Sequence, residues 1–233
     1  MTTIATNLQR QRERLSKACE RFGRPANAVG LLAVSKTFPA QAVAEAAAAG
    51  QTAFGENYIQ EGVEKILTLR AQGITHLQWH CIGPVQGNKT RLVAEHFDWV
   101  ESVDRLKIAQ RLSDQRPPDL LPLQVCLQVN VDGGANKSGV TPAELPILAH
   151  AVAALPRLRL RGLMCIPEPA PDFEAAKAVF ESARVLFDSL NAEGLALDTL
   201  SMGMSDDVEA AVAAGSTLVR VGRGVFGYRP LKG

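Results

Sequence analysis

A short apolar run followed by a stretch with helical spacing recurs about eight times in this chain, and few folds accept that rhythm. The apolar runs are Leu31–Lys36, Thr52–Asn57, Leu77–Ile82, Phe97–Ser102, Leu123–Val131, Leu158–Ile166, Leu197–Ser201 and Thr217–Val221. The segments between them carry helix punctuation. Gly50, Gly73 and Gly215 stand where helices stop, and Thr141-Pro-Ala-Glu144 and Asp172 stand where helices start. No long linker or low-complexity stretch interrupts the series. Eight strand–helix units predict an α/β protein of the closed (β/α)8 TIM-barrel type. The rival is an open doubly wound sheet, which calls for a glycine-rich turn after the first strand. Ser35-Lys-Thr-Phe-Pro39 has no glycine. Helical spacing at Leu8, Leu15, Ala18, Cys19 and Phe22 adds one helix in front. The expectation is one domain over residues 1–233, with the helix and lead-in at 1–27 and the barrel at 28–229.

The remaining composition excludes several function classes. A net charge of +1 offers no electrostatic footprint for nucleic acid or an acidic membrane. No apolar run reaches the roughly 18 residues of a membrane helix, and Met1–Arg10 has no apolar signal core. Cys19, Cys81, Cys126 and Cys165 form no metal-type pair and read as small buried hydrophobes. The expected protein is soluble, cytoplasmic, reduced and monomeric. No metal site is expected: His76 and His80 lie about 13 Å apart along an extended run, too far to share an ion. No nucleophile triad has a local signature either.

Barrel chemistry collects at the carboxyl ends of the strands. Here that ring includes Lys36, Asn57, His80 with Gly83, Glu101, Asn130, Met164, Ser201 with Met202, and Arg220 with Gly222. Lys36 shares the Leu32–Val34 face by strand parity. Partial desolvation there lowers a lysine pKa below about 10.4 and makes the amine a nucleophile for carbonyls. The seventh and eighth loops, Ser201-Met-Gly-Met-Ser205 and Val221-Gly-Arg-Gly224, are glycine-bearing turns at the usual phosphate position of such barrels; plain turns are the alternative. Arg220 sits in an apolar strand, so it either snorkels outward or faces inward to a ligand or carboxylate. A lysine opposite a phosphate cradle suits a phosphorylated aldehyde.

The motifs Leu32-Ala-Val-Ser-Lys36, Phe54-Gly-Glu-Asn-Tyr58, Trp79–Lys89, Arg161-Gly-Leu-Met164, Ser201–Asp206 and Val219-Arg-Val-Gly222 resemble the YggS/PROSC family of pyridoxal-phosphate homeostasis proteins. That resemblance implies a barrel like the N-terminal domain of alanine racemase, with pyridoxal 5′-phosphate (PLP) held on Lys36 as a Schiff base. It implies that Ser201 and the Gly222–Arg223–Gly224 loop hold the phosphate, that Arg220 faces the pyridine nitrogen, and that Asn57, His80 and Met202 line the pocket. It further implies a carrier without robust turnover, serving PLP-dependent apo-enzymes, with no catalytic residue. Arg223 departs from the family's usual Thr or Ser, and Gly134 from an acid in the loop that keeps Lys137. A racemase-like PLP enzyme is the first alternative. The chain stops soon after the eighth strand, and neither Tyr58 nor Tyr228 is an obvious second acid/base. A PLP-free Schiff-base aldolase is the second alternative.

Overall fold

In a computed structural model describing residues 3–133 and 138–228, eight parallel strands close in chain order, each paired with its neighbours and β8 with β1. The strands are β1 Gly30–Val34, β2 Ala53–Glu56, β3 Gln78–Cys81, β4 Trp99–Val103, β5 Leu123–Gln128, β6 Leu158–Met164, β7 Thr199–Ser201 and β8 Leu218–Val221. The helices are α1 Ile4–Arg21, α2 Ala40–Ala48, α3 Ile59–Ala71, α4 Thr90–His96, α5 Leu106–Gln115, α6 Leu145–Ala153, α7 Phe173–Ala192, α8 Val208–Ala213 and α9 Arg223–Phe226. The barrel expectation therefore holds, with strand boundaries shifted by up to three residues. Lys137 and Gly134 lie outside the described residues.

Period-two alternation divides the strand side chains into two sets. One set faces the helices: Ala33, Phe54, Trp79, Val100, Val125, Leu163 and Val219 join the main core there. The other fills the barrel. Leu32, Val34 and Ile82 form one apolar cluster and Trp99, Cys126 and Met164 another. Gly162, in the inward set by alternation with Met164, is glycine because of a close approach: a Cβ on it would sit 1.7 Å from the Thr199 carbonyl oxygen.

The leading helix is less of an addition than its position in the chain implies. Among the described residues the eighth strand is followed by the four-residue α9, and α1 packs against α8, α9 and α2. It thus covers the part of the outer layer that a full eighth helix would take. Thr3 caps it, the hydroxyl accepting from Thr6 N at 3.1 Å. Leu8, Leu15, Ala18 and Cys19 form its buried stripe. Arg14 clamps it to α8, with Nε and Nη2 donating to the two Glu209 carboxylate oxygens at 2.6 and 2.5 Å.

Candidate functional site

Lys36 leaves β1 at the carboxyl mouth of the barrel, on the side of Val34. It lines a cavity of about 410 Å³ together with Val34, Phe38, Gly222, Arg223 and Tyr228. Cavities of about 560 and 640 Å³ open elsewhere, so volume does not single this one out. What does is chemistry: an amine and the glycine loop after β8 share one space of ligand size. Gly222 is the N-cap of α9, so the first N–H groups of that helix lie at the cavity's edge. A Cβ on Gly222 would reach 3.3 Å from the Val34 carbonyl oxygen, which keeps this wall small. The Arg223 side chain is exposed and lies 3.6 Å from Asp206.

Inside the barrel a buried polar cluster ties four strands together. Glu101 on β4 is its hub. His80 Nδ1 lies 2.6 Å from one carboxylate oxygen, and the Ser201 hydroxyl donates to the other at 2.6 Å. Arg220 Nη1 donates to the Ser201 hydroxyl at 2.7 Å and its carbonyl at 2.8 Å, while Nη2 donates to the Cys165 carbonyl at 2.8 Å. The inward reading of Arg220 is therefore correct, and the guanidinium is fixed by three bonds. Burial alone would push the Glu101 carboxyl up. The His80 hydrogen bond, the His80 and Arg220 charges and the Ser201 hydroxyl outweigh it and hold the group below its ordinary value. His80 stacks on Trp99 with ring centroids 4.9 Å apart.

Two buried acceptor or donor atoms on the expected site residues have no hydrogen-bond partner among the described residues: Asn57 Oδ1 and His80 Nε2. Buried polar atoms are seldom left so, and a polar ligand or ordered water accounts for such vacancies of pairing. An amine and helix-start N–H groups in one cavity fit a polar, anionic aldehyde. Arg220, Asn57 and His80 do not line that cavity, and His80 lines the separate one of about 560 Å³.

Other expected residues lie differently. The Met202 side chain is fully buried in the core between strands and helices, so packing replaces the expected pocket-lining role. Loop seven is a weaker anion cradle than its glycine implies, because Met202 N donates to Leu218 O and Met204 N to the Asp207 carboxylate. The Ser201 hydroxyl gives its one proton to Glu101, so a phosphate contact there requires that bond to break. Gly224 is set by helix packing: a Cβ would come within 3.0 Å of Gln11 on α1. Sequence reasoning missed Phe38 and Tyr228 as cavity walls. It also passed over Glu101 as a hub, although an acid inside an apolar strand was a signal.

This fold and mouth define a class. The family model for the alanine racemase N-terminal domain matches residues 6–230, and the chain belongs to that family. Within it the similarity narrows to the pyridoxal phosphate homeostasis proteins. The chain is 55% identical over 229 residues to that of Escherichia coli K12, covering 98% of both chains. It is 58% identical to that of Pseudomonas aeruginosa, covering 98% of this chain and 97% of the relative. Among solved structures, PipY of Synechococcus elongatus with PLP bound superposes with a TM-score of 0.84 at 38% identity, covering 97% of this chain and all of that one. Alanine racemase from Corynebacterium glutamicum, at 20% identity and a TM-score of 0.70, shares the fold over 99% of this chain and 62% of its own.

Proposed function

We propose that this chain binds PLP in the Lys36 cavity and serves PLP homeostasis as a carrier rather than as a turnover enzyme. The observation that carries the reading is the shared cavity of the Lys36 amine and the Gly222–Arg223 helix start. Its similarity to PLP homeostasis proteins over nearly the whole length supports it. Lys36 would hold the cofactor through its aldehyde, and the N–H groups of Arg223 and Gly224 would receive the phosphate. Bound there, the cofactor supplies an aldehyde that condenses with amines. Arg220, locked by its bonds to Ser201 and Cys165, would keep a ring nitrogen facing it unprotonated. An unprotonated ring is a poor electron sink, which favours holding the cofactor over carbanion chemistry. Asn57 and His80 carry buried unpaired atoms outside the lining of that cavity, so the reading does not rest on them. PLP-dependent apo-enzymes are the recipients this reading requires.

One observation favours a second reading, a racemase-like enzyme. Tyr228 lines the Lys36 cavity, where a phenol could serve as a second acid/base. At 85% exposed it is a solvated phenol with little to fix it, which weighs against that role.

An absorbance spectrum of purified protein, with and without borohydride, followed by mass mapping, tests both. The expected result is a band near the visible edge, lost in Lys36→Ala, with the reduced adduct on Lys36. A label elsewhere, or none, overturns the carrier reading. Interconversion of D- and L-amino acids that Tyr228→Phe abolishes would establish the racemase instead.

A further inference from the structure

The mouth carries a second lysine whose arrangement explains how the first is placed. Lys65 on α3 is only 5% exposed. Its Nζ donates to the Ser35 carbonyl, to Glu56 Oε1 and to Glu61 Oε1, each at 2.7 Å. An ammonium has three N–H donors, so this one is saturated. The Ser35 hydroxyl donates to the same Glu56 oxygen at 2.6 Å, and Thr37 N donates to Glu61 Oε1 at 2.5 Å. The residues on both sides of Lys36 are therefore gripped by one buried network, from the outer wall of the barrel.

Thr37 shows why a grip is needed. Its φ is +69°, a left-handed conformation that β-branched residues rarely adopt. Such a conformation persists where the surroundings over-determine it. Glu61 takes the Thr37 N–H, and Lys65 holds both Glu61 and the Ser35 carbonyl. Released, the Ser35–Lys36–Thr37 turn would relax toward ordinary φ and carry the Lys36 side chain off the cavity.

We propose that Lys65, Glu56 and Glu61 are positioning residues that hold the strained turn around Lys36 and so aim its amine into the cavity. The proposal rests on Lys36 being the cofactor-holding lysine. A structural role alone, gluing α3 to β1 and β2, would change stability and leave the amine's reactivity untouched.

The test uses the full chain in Glu61→Gln, in Lys65→Met, and in Glu61→Gln combined with Thr37→Gly. Glycine takes a positive φ without strain, so it removes the need for the grip. Two readouts are made. One is PLP affinity by titration. The other is the acetylation rate of Lys36 in the cofactor-free chain, relative to the exposed Lys107, by mass spectrometry. Glu61→Gln is expected to weaken PLP binding about ten-fold, the scale of one lost charge-assisted bond, and to change the Lys36 to Lys107 labelling ratio. Adding Thr37→Gly should recover most of both. Unchanged affinity and ratio in folded Glu61→Gln, or no recovery with Thr37→Gly, overturns the proposal. Should Lys65→Met fail to fold, the partly exposed Glu61 and its rescue still decide. If the unmodified chain takes no PLP on Lys36, the carrier reading fails, and the labelling ratio still decides the positioning claim.

Discussion

Two buried ionic clusters flank the mouth of this barrel, one inside it and one in its wall, and they do different work. The inner cluster of Glu101, His80, Ser201 and Arg220 fixes side chains, ending in a guanidinium held over the barrel interior. The wall cluster of Lys65, Glu56, Glu61 and Ser35 fixes backbone, ending in the turn that carries Lys36. Their electrostatics differ in sign. Inside, opposite charge and hydrogen bonds overcome burial and hold Glu101 below its ordinary value. In the wall, burial overcomes the charge and hydrogen bond of Lys65 and pushes Glu56 above it. A carboxylate is tolerated in a barrel when several partners converge on it. One that shares its cation with a second acid stays under strain.

The largest expected effect comes from emptying the inner hub. Glu101 is fully buried, and Glu101→Ala leaves Arg220 without its acid and Ser201 without its acceptor. Removing one partner of such a pair costs about 3–5 kcal/mol, to be read from urea unfolding. A cost under about 1 kcal/mol would mean that water already shares this site. Next is Ser201→Ala, which deletes the hydroxyl between Glu101 and Arg220. The expected cost is about 1–3 kcal/mol, with weaker PLP binding because the guanidinium loses one of its three bonds.

Acid response distinguishes the clusters more sharply than either truncation. Glu101 binds its proton less tightly folded than unfolded. Its contribution is present above the unfolded carboxylate value of about 4.3 and is lost as the pH falls through the lower folded value. Glu56 binds its proton more tightly folded, so its contribution is present below about 4.3 and is lost as the pH rises through the higher folded value. In urea midpoints followed from about pH 3 to about pH 8, Glu101→Gln should flatten the loss on the acid side. Glu56→Gln should flatten the decline on the rising side. Profiles that change in parallel would show that the two acids do not differ in sign.

The contrast also marks where sequence reading reaches its end. The barrel was legible because parallel strands buried on both faces are apolar runs, and eight of them stand apart from the charged helices between. Lys36, Gly222 and Arg223 were legible because strand ends define a barrel's mouth without side-chain detail. Arg220 was flagged by its apolar neighbours, yet its partners Ser201 on β7 and Cys165 just after β6 are 19 and 55 residues away and left no local sign. The wall cluster was missed altogether. Glu61 and Lys65, four apart on a helix, look like a solvated surface pair. Only the barrel's curvature buries them against Glu56 and Ser35. Met202, which the family resemblance placed at the pocket, has its side chain buried in the main core, and no local pattern in the sequence marked that burial.

The smallest expected effect uses Cys81 as a reporter between the two clusters. Its thiol is fully buried and pushed up to about 12, first by burial, with the Gly83 backbone hydrogen bond working against the shift and the charges of Glu101 and then Glu56 adding to it. At pH 8 the thiol is therefore overwhelmingly protonated, and native protein should react with a disulfide reagent only through opening. Neutralising either acid should speed the reaction at Cys81, and Glu101→Gln more than Glu56→Gln, because Glu101 contributes the larger repulsion. Unfolding would raise the rate too, so the comparison is made in conditions where both variants are at least as stable as needed for fast reclosing, and Cys19, buried on the outer helix α1, serves as the control. Equal acceleration of Cys81 and Cys19 would assign the effect to global opening. Acceleration confined to Cys81, in the stated order, would show that the thiol senses the inner acid more strongly than the wall acid.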